Sequence, residues 1–207
     1  MTFENEEPII MEVSMSTGVY QRQEAILLNL YDVTEQKKVE ETLTNLVARD
    51  KLTGLYNRYH LENYITAEIE EAERYDSNLS MLTVDLDHFK LVNYRWGHPI
   101  GDQVLKHTAH LLVEACRKSD VVFRVGGEEF MIVLPQTEID GAMEVAEKVR
   151  SSIEKSIHPI VGKYTVSVGV AQRKPGETFR NIYQRADDAL YAAKSSGRNC
   201  VKAAKSD

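Results

Sequence analysis

The feature that most constrains this chain is the segment 121–134, in which two apolar, β-branched runs lie on either side of Gly126 and Gly127. Such runs around a glycine pair predict a β-hairpin, because paired glycines supply the positive φ that a tight turn requires. Glu128 and Glu129 follow at the tip, where adjacent like charges repel unless a cation or a substrate compensates them. Acidic residues are also common at solvated tips, so this pair alone leaves a structural and a functional interpretation equally open.

Length, composition and charge narrow the class of protein. With 207 residues, 43% hydrophobic and 28% charged, the chain has room for one ordinary domain plus an appendage and a real core. Its net charge of -7 argues against a general binder of nucleic acid or of membranes, but does not exclude a phosphorylated small molecule. Two distant cysteines, Cys116 and Cys200, and an N-terminus without a signal segment predict a cytoplasmic location.

The N-terminal part predicts a two-stranded piece. Met11, Val13 and Met15 alternate with polar residues, Gly18 interrupts that run, and residues 25–31 supply a second strand. An isolated hairpin is marginal in water, so we expect this one to pack on another domain, a second copy or a missing part.

A polar helix is predicted next, because Asp32 followed by Glu35 is a helix-start signature. Its apolar stripe is too short for a stable lone coiled coil but suits a pairing helix between two modules. The hairpin and residues 31–38 resemble the C-terminal end of a PAS sensor domain, which implies a partial PAS-like hairpin over 1–31 and a linker helix over 32–49. The pocket-forming part of such a domain is absent, so the resemblance implies no sensory cofactor. The stripe consists of Val39, Leu43, Leu46 and Val47.

The rest of the chain, residues 50–207, predicts helices and strands mixed around a single, mostly antiparallel sheet, which is an α+β or mixed α/β sandwich architecture. Asn57 is a candidate N-cap for the first helix. Besides the central hairpin, the predicted strands are 80–85, 164–171 and 199–203, and the main helices are 61–72, 103–116, 139–153 and 182–193.

Two carboxylates at the end of the first buried strand suggest a metal. Asp85 and Asp87 project to one face if the strand continues, where they approach Glu128 and Glu129. Hard carboxylate oxygens without histidine or cysteine suit Mg²⁺ rather than zinc. We favour a metal ligand for Asp85, because a charge at the end of a buried strand is costly unless paired. For Asp87 we favour a cap on the helix that begins at His88.

Three polar residues downstream fit a nucleotide. Lys90 lies in the first turn of a helix, where free N–H groups and the macrodipole already favour an anion. A lysine there is more often solvated, but neighbouring metal-type carboxylates favour a phosphate contact. Asn93 and Asp102 together match a purine edge that shows donors and acceptors, as guanine does, although both also fit simple turn caps.

Six ordered motifs from residue 50 to 202 resemble the GGDEF diguanylate cyclase family, which joins two GTP molecules into cyclic di-GMP and releases two pyrophosphates. The resemblance implies a nucleotide-cyclase, palm-like fold, bacterial signalling, Mg²⁺ or Mn²⁺ (two or more per active dimer), and a homodimer, because one domain holds one GTP. Tyr94 departs from the family pattern, which usually has Asp there. The motifs are residues 50–58, 85–93, 97–102, 126–130, 166–171 and 186–199.

Carried over position by position, the resemblance implies a role for each matching residue. Glu128 is both a metal ligand and the candidate base for the 3′-hydroxyl, with Glu129 beside it. The implied set comprises metal ligands Asp85, Leu86 (through its carbonyl) and Glu128; catalytic residues Glu128, Glu129 and Lys90; guanine readers Asn93 and Asp102; and triphosphate contacts Lys90, Lys194 and Arg198.

Arg117 and Asp120 resemble the family's inhibitory site for cyclic di-GMP. Arg117 can make paired hydrogen bonds to phosphate or guanine, and Asp120 can accept from guanine nitrogens. The alternative for this stretch is a plain surface turn after a helix. For the whole chain, the leading interpretation is an active homodimeric cyclase. The alternatives are a catalytically silent receptor of cyclic di-GMP and an interaction module.

Overall fold

The computed structural model describes residues 9–20, 23–39 and 48–205. The chain divides into two compact units, Met1–Val47 and Ala48–Asp207. None of the helices in the described ranges is both long enough and apolar enough to cross a bilayer.

The first unit contains an antiparallel pair, β1 (Met11–Tyr20) and β2 (Gln23–Asp32). Gly18 lies inside β1 opposite Ala25, so the prediction that it ends the strand is wrong, because the pairing with β2 continues past it. Apolar side chains of both strands are exposed, so the hairpin forms no core of its own within the described residues. They include Val13, Met15, Leu28 and Leu30.

A helix follows β2, as predicted, and its described part covers residues 34–39. Asp32 accepts hydrogen bonds from the backbone N–H (3.0 Å) and the hydroxyl (2.6 Å) of Thr34, which is local capping of the kind that the sequence predicted. Val39 is exposed. The other predicted stripe residues, Leu43, Leu46 and Val47, lie outside the described residues.

The second unit is built on a six-stranded sheet in the order β3-β5-β6-β4-β7-β8. Its inner pairs are antiparallel and its two outer pairs, β3 with β5 and β7 with β8, are parallel, which confirms a mostly antiparallel sheet. The elements in chain order are β3 (Tyr56–Asn57), α1 (Arg58–Arg74), β4 (Leu79–Leu86), α2 (Phe89–Trp96), α3 (His98–Ala115), β5 (Val121–Arg124), β6 (Glu129–Pro135), α4 (Ile139–Lys155), β7 (Val166–Gln172), α5 (Phe179–Ser195) and β8 (Val201–Ala203).

Local signals explain several of these bounds. The side chain of Asn57 accepts the N–H of His60 at 3.1 Å and caps α1, as predicted. Helix α3 begins at His98, five residues before the predicted start at Gln103, because Pro99 is tolerated in a first turn where its missing N–H has no partner to lose.

Alternation along β4 divides the core between the two faces of the sheet. Leu82, Val84 and Leu86 pack with residues of α2, α3 and α4, whereas Met81 packs with residues of α1 and α5. Because successive side chains of a strand point to opposite faces, Asp85 lies on the face that carries α1 and α5. All eight residues of β4 are buried, so this strand is a rigid support for the residue at its end.

The central hairpin is confirmed, with Arg124 of β5 opposite Phe130 of β6. The reason predicted for its glycines is wrong, since neither Gly126 nor Gly127 has a positive φ. A Cβ at Gly126 would closely meet only the Oε2 atom of Glu129, the movable end of an exposed side chain, so close packing does not require glycine there either. The turn is further held by Arg124, whose Nη2 donates to the carbonyl of Gly127 at 2.8 Å.

Candidate active site

Three elements meet at the end of β4. Asp85 lies opposite Glu129 in the β4–β6 register, and the Leu86 N–H donates to the carbonyl of Glu128 at 3.3 Å. From the last turn of α5, the Nζ atom of Lys194 lies 2.7 Å from Oδ2 of Asp85. The structure therefore brings the predicted carboxylates of β4 and the hairpin together, with a predicted triphosphate contact beside them.

Asp85 is only 5% exposed, and this burial decides its electrostatics. Burial raises the pKa of Asp85, and the hydrogen bond and charge of Lys194 oppose that shift without cancelling it. The charge of Asp87 raises the pKa further, whereas the charge of Arg198 lowers it. Asp85 thus has less positive charge around it than its ionised form requires.

Glu128 shares the same electrostatic field. Burial and the nearby charge of Asp85 raise the pKa of Glu128, while the charges of Lys90 and Lys194 act in the opposite direction. Lys90 is exposed near the start of α2, on a different helix from Lys194. Two carboxylates with raised pKa values and two lysines from different helices therefore surround one position.

The donors at this position fit a hard divalent cation. The carboxylates of Asp85 and Glu128 supply oxygen ligands, and Leu86 lies between them in the fold with its carbonyl as a further candidate. Mg²⁺ is bound by one or two carboxylates plus water and substrate phosphate oxygens. Within residues 9–20, 23–39 and 48–205, no group of three or more His, Cys, Asp or Glu side chains is arranged so that it could hold a metal ion by itself.

The corner between α2 and α3 contains the predicted guanine readers. The Oδ1 atom of Asn93 is buried and has no hydrogen-bond partner in the described chain. It lies so close to Gly101 that a Cβ there would collide with it. Asp102, the residue after Gly101, is exposed. Tyr94 is 91% exposed, so its departure from the family pattern leaves the core unchanged. A buried acceptor without a partner is the group that a bound N–H donor would satisfy.

The interpretation of Asp87 as a helix cap is wrong. The N-cap of α2 is His88, at φ 59, and it makes no side-chain cap hydrogen bond. Asp87 instead accepts hydrogen bonds from the hydroxyls of Ser167 and Thr165, each at 2.7 Å, and from the N–H of Asn199 at 3.0 Å. These donors come from β7 and from the loops before β7 and β8, and together they bind the carboxylate better than one N–H at a helix start.

The loop that follows α5 contains the predicted triphosphate contact Arg198, which is exposed. Gly197, Arg198 and Asn199 have consecutive positive φ values of 108, 67 and 44. Lys194 lies in the last turn of α5 and Arg198 in the loop beyond its end, and the charges of both oppose the rise that burial causes in the pKa of Asp85.

The segment between α3 and β5 forms a closed turn. The side chain of Asp120 has no exposed area, and its Oδ2 accepts the backbone N–H of Arg117 at 2.8 Å. The Nε atom of Arg117 lies 3.9 Å from the same oxygen, but the arginine side chain is 61% exposed. Of the two predicted product contacts, Arg117 is available to a ligand, and Asp120 is bound within its own turn.

Sequence reasoning missed the residues that support the site. Arg124 links the hairpin to Asp50, since its Nη1 donates to Asp50 Oδ1 at 2.9 Å and its Nη2 to the Gly127 carbonyl. The sequence indicates Asn199 only as the last residue of the motif 186–199. The one available signal was the Asp50–Thr53 spacing, which is typical of a side-chain-bonded turn and which the structure shows at 2.9 Å.

Comparisons with known proteins identify the family of this chain. A family model for the GGDEF domain of diguanylate cyclases matches residues 47–200. Diguanylate cyclase DgcM of Escherichia coli (strain K12) is 42% identical over 183 residues, covering 86% of this chain and 44% of DgcM. The chain thus spans less than half the length of that curated relative.

Solved structures show the same fold. The coiled coil and GGDEF domain of DgcB from Caulobacter crescentus, in complex with c-di-GMP, matches with a TM-score of 0.77 and 31% identity, covering 83% of this chain and 93% of that one. The active GGEEF domain of a diguanylate cyclase from Vibrio cholerae matches with a TM-score of 0.70 and 34% identity, covering 73% and 98%.

Proposed function

This chain belongs to the GGDEF family of diguanylate cyclases, and on that premise we propose that it condenses two GTP molecules into cyclic di-GMP with release of two pyrophosphates. The observation that carries the proposal is the pair Asp85 and Glu128, buried to different degrees and surrounded by lysines. A domain that only binds a finished product does not need two carboxylates held at raised pKa.

Each half-reaction forms one bond and breaks one. The 3′-oxygen of one GTP attacks the α-phosphorus of the other, and the bond from that phosphorus to the β-phosphate bridging oxygen breaks as pyrophosphate leaves. Glu128, whose backbone carbonyl accepts the N–H of Leu86 at the end of β4, accepts the proton of the 3′-hydroxyl as general base. Glu129 lies beside it at the start of β6. The second half-reaction repeats the step with the nucleotides exchanged and closes the ring.

The remaining charged residues bind the triphosphate. Lys90, Lys194 and Arg198 offset charge on the phosphoryl oxygens and hold the leaving group in line with the nucleophile. Asp85, Glu128 and the Leu86 carbonyl are the groups that would hold Mg²⁺ or Mn²⁺, with two or more ions per active dimer. When bound, the metal supplies Lewis-acid stabilisation of the negative charge that develops on the phosphate oxygens.

Base selection rests on two acceptors. Guanine presents N–H donors at N1 and N2, which match the unpartnered Asn93 Oδ1 and the carboxylate of Asp102. Adenine has an acceptor at N1, so it would leave these oxygens unpaired, and a site built this way discriminates by orders of magnitude. We therefore expect GTP to be strongly preferred over ATP.

The reaction needs two GTP-loaded domains face to face, so the proposed working form is a homodimer. A linker helix over 32–49 after a partial PAS-like hairpin over 1–31 suits such pairing, and the similar DgcB structure also has a coiled coil beside its GGDEF domain. The cytoplasm, where GTP is available, is the proposed location. Neither nucleic acid nor membrane is a proposed partner.

Product feedback is the last part of the proposal. Arg117 is exposed and can bind a phosphate or a guanine edge in pairs of hydrogen bonds. GGDEF domains similar to this one have been solved in complex with c-di-GMP, which supports a product site in this chain. Because the carboxylate of Asp120 accepts the backbone N–H of Arg117, its proposed role is to set the shape of the turn and, through it, the direction of Arg117.

The deciding experiment incubates the purified chain with GTP and Mg²⁺ and separates the products by chromatography. We expect cyclic di-GMP and pyrophosphate, and a specific activity that rises with protein concentration until dimers saturate. Deleting residues 1–48 should lower activity at low protein concentration if this segment promotes pairing. Binding of cyclic di-GMP without any turnover of GTP would favour the alternative, a silent receptor.

A further inference from the structure

Asp87 lies two residues beyond Asp85 but has quite different partners. It is 6% exposed, and its Oδ1 accepts the hydroxyl of Ser167 while its Oδ2 accepts the hydroxyl of Thr165 and the N–H of Asn199. Hydrogen bonds to an ionised acceptor are short and strong, and these lie between 2.7 and 3.0 Å. Asp87 therefore connects the loop after α5 to the neighbouring ends of the inner strands β4 and β7.

That loop has a conformation which its own residues do not favour. Arg198 and Asn199 have φ values of 67 and 44, in the left-handed region that costs energy for a residue with a Cβ. Such a backbone persists where the surroundings hold it. The N–H of Arg198 closes onto the carbonyl of Ala193 at 3.2 Å, which fixes the start of the loop to the end of α5.

The side chain of Asn199 holds the loop from the other side. Its Nδ2 donates to Oε1 of Glu154 at 2.7 Å, and its Oδ1 accepts from Nη1 of Arg150 at 2.7 Å. Both partners are on α4, and Arg150 is itself fixed by Glu147. Asn199 is thus bound through its backbone to Asp87 and through its side chain to α4.

We infer that Asp87 and Asn199 are positioning residues, which lock the loop after α5 so that Arg198 presents its charge to the triphosphate beside Asp85. The inference rests on the proposed function, since it concerns how that nucleotide is held. The backbone at 198 and 199 sets the direction in which the Arg198 side chain leaves the loop. Asn199 is held by Asp87, Arg150 and Glu154, and we call these contacts the clamp. Neither positioning residue acts on the substrate itself.

A purely structural role for Asp87 makes a different prediction. Replacing Asp87 would then lower the stability of the protein, but the molecules that remain folded would bind the nucleotide as before. A positioning role weakens the triphosphate contacts within molecules that remain folded, because Arg198 is then no longer held where it can make charge-assisted hydrogen bonds to the phosphates. Affinity for a triphosphate and affinity for the nucleoside alone separate the two roles.

The test compares Asp87→Ala with Ser80→Ala. Ser80 is a matched control, because it is fully buried at the other end of β4 and its hydroxyl donates one hydrogen bond of 2.7 Å to the Thr137 carbonyl. Calorimetry would measure the Kd of a non-hydrolysable GTP analogue and of guanosine. For Asp87→Ala we expect the analogue to bind about 10-fold to about 100-fold more weakly, with guanosine unchanged within about 2-fold. Ser80→Ala should melt lower yet bind both ligands normally.

Conservative and double variants sharpen the result. Asp87→Asn can keep all three contacts, because its amide oxygen accepts from Thr165 and Asn199 while its amide nitrogen donates to the Ser167 hydroxyl, so it should restore most of the affinity. In an Arg198→Ala background, Asp87→Ala should cost much less than it does alone, since the residue it positions is gone.

Several outcomes would overturn the inference. One is wild-type affinity for the analogue in folded Asp87→Ala; another is equal weakening of guanosine and the analogue. If Asp87→Ala does not fold, Asn199→Gly replaces it, because glycine accepts the positive φ and keeps the N–H but removes both contacts to α4. An unchanged analogue Kd in that variant also refutes the clamp. A wild-type chain that neither binds nor converts GTP refutes the proposed function as well, whereas wild-type turnover with an insensitive Asp87→Ala refutes only the clamp.

Discussion

At the end of β4, the carboxylates of Asp85 and Glu128 have cationic neighbours from other elements, Lys90 near the start of α2 and Lys194 at the end of α5. In the turn after α3, the buried carboxylate of Asp120 binds the backbone of that same turn. Both regions place acidic groups beside basic ones, but only in the first do the partners come from separate parts of the fold.

The difference shows that burial alone does not identify a functional carboxylate. Asp120 is buried and satisfied locally, so its hydrogen bonds stabilise the turn whether or not a ligand is present. Asp85 has a raised pKa despite an ammonium group 2.7 Å away, which means that its site still favours additional positive charge. The origin of the partners distinguishes the two cases.

The largest expected effect lies at the first region. Glu128→Gln keeps the shape of the side chain and removes both the charge and the basic oxygen, so GTP turnover should fall by about 1000-fold or more. Turnover is measured by chromatography of products, and circular dichroism checks that the fold is intact.

A matched control for that variant is Glu114→Gln. Glu114 is exposed near the end of α3, where it pairs only with His110 at 3.3 Å, so the variant should keep activity within about 2-fold. Near-normal turnover by Glu128→Gln would remove the base and metal role from this residue and, with it, the contrast between the two regions.

A smaller effect is expected for the buried acceptor at the corner of α2 and α3. Asn93→Ala removes the unpartnered Oδ1, and the preference for GTP over ATP, as a ratio of kcat/KM values, should fall by about 10-fold to about 100-fold. Asn63→Ala is the control, because the Asn63 side chain only contacts the Tyr59 carbonyl on the exposed face of α1. An unchanged GTP preference in Asn93→Ala would rule out base reading at this corner.

The turn after α3 is tested through product inhibition. Cyclic di-GMP bound there need not touch the active site, so it should lower the maximal rate, and raising GTP should not restore it. Arg117→Ala should raise the concentration needed for half inhibition by about 10-fold or more, with basal turnover similar or higher. Lys118→Ala, the exposed neighbour, is the control. If Arg117→Ala is inhibited as strongly as the wild type, the segment 117–120 is only a surface turn.

Most of the fold followed from residue patterns that act locally. Apolar runs and helical periodicity predicted the sheet and its main helices, because the inner strands are buried on both faces and each main helix buries one apolar stripe. The errors occur where the simple local meaning of glycine does not apply. Gly18 continues its strand because β2 pairs with it, and Gly126 and Gly127 form the turn without a positive φ.

The candidate site shows the same division between residues that local patterns indicate and residues that they do not. The residues brought together at Asp85 were available from motifs, but their support was not, because no local pattern indicates which donors reach a given carboxylate. The sequence predicts a helix cap at Asp87, because Asp before a helix is a strong local signal. Its real partners Ser167 and Asn199 lie 80 and 112 positions away in the sequence.

The smallest expected effect uses stability to compare the two kinds of carboxylate. Burial and the charge of Asp85 raise the pKa of Glu128, so between its ordinary and its raised value the folded state binds more protons than the unfolded state. Stability then falls as the pH rises through that window, and above it the ionised Glu128 is a constant destabilising contribution. Glu128→Gln should therefore melt slightly higher than the wild type at pH 7, and the difference should vanish as the pH falls below about 4.

A carboxylate that is paired on its own helix should show the opposite sign. The hydrogen bonds of Arg150 lower the pKa of Glu147, so its contribution to stability is present above its ordinary pKa and is lost as the pH falls through the lowered value. Glu147→Gln should melt slightly lower than the wild type at pH 7, again with a difference that disappears in acid. Thermal melts of both variants from pH 3 to pH 8 in low salt test this pair of signs. If both variants shift Tm in the same direction at pH 7, the proposed destabilisation of the folded protein by ionised Glu128 is contradicted.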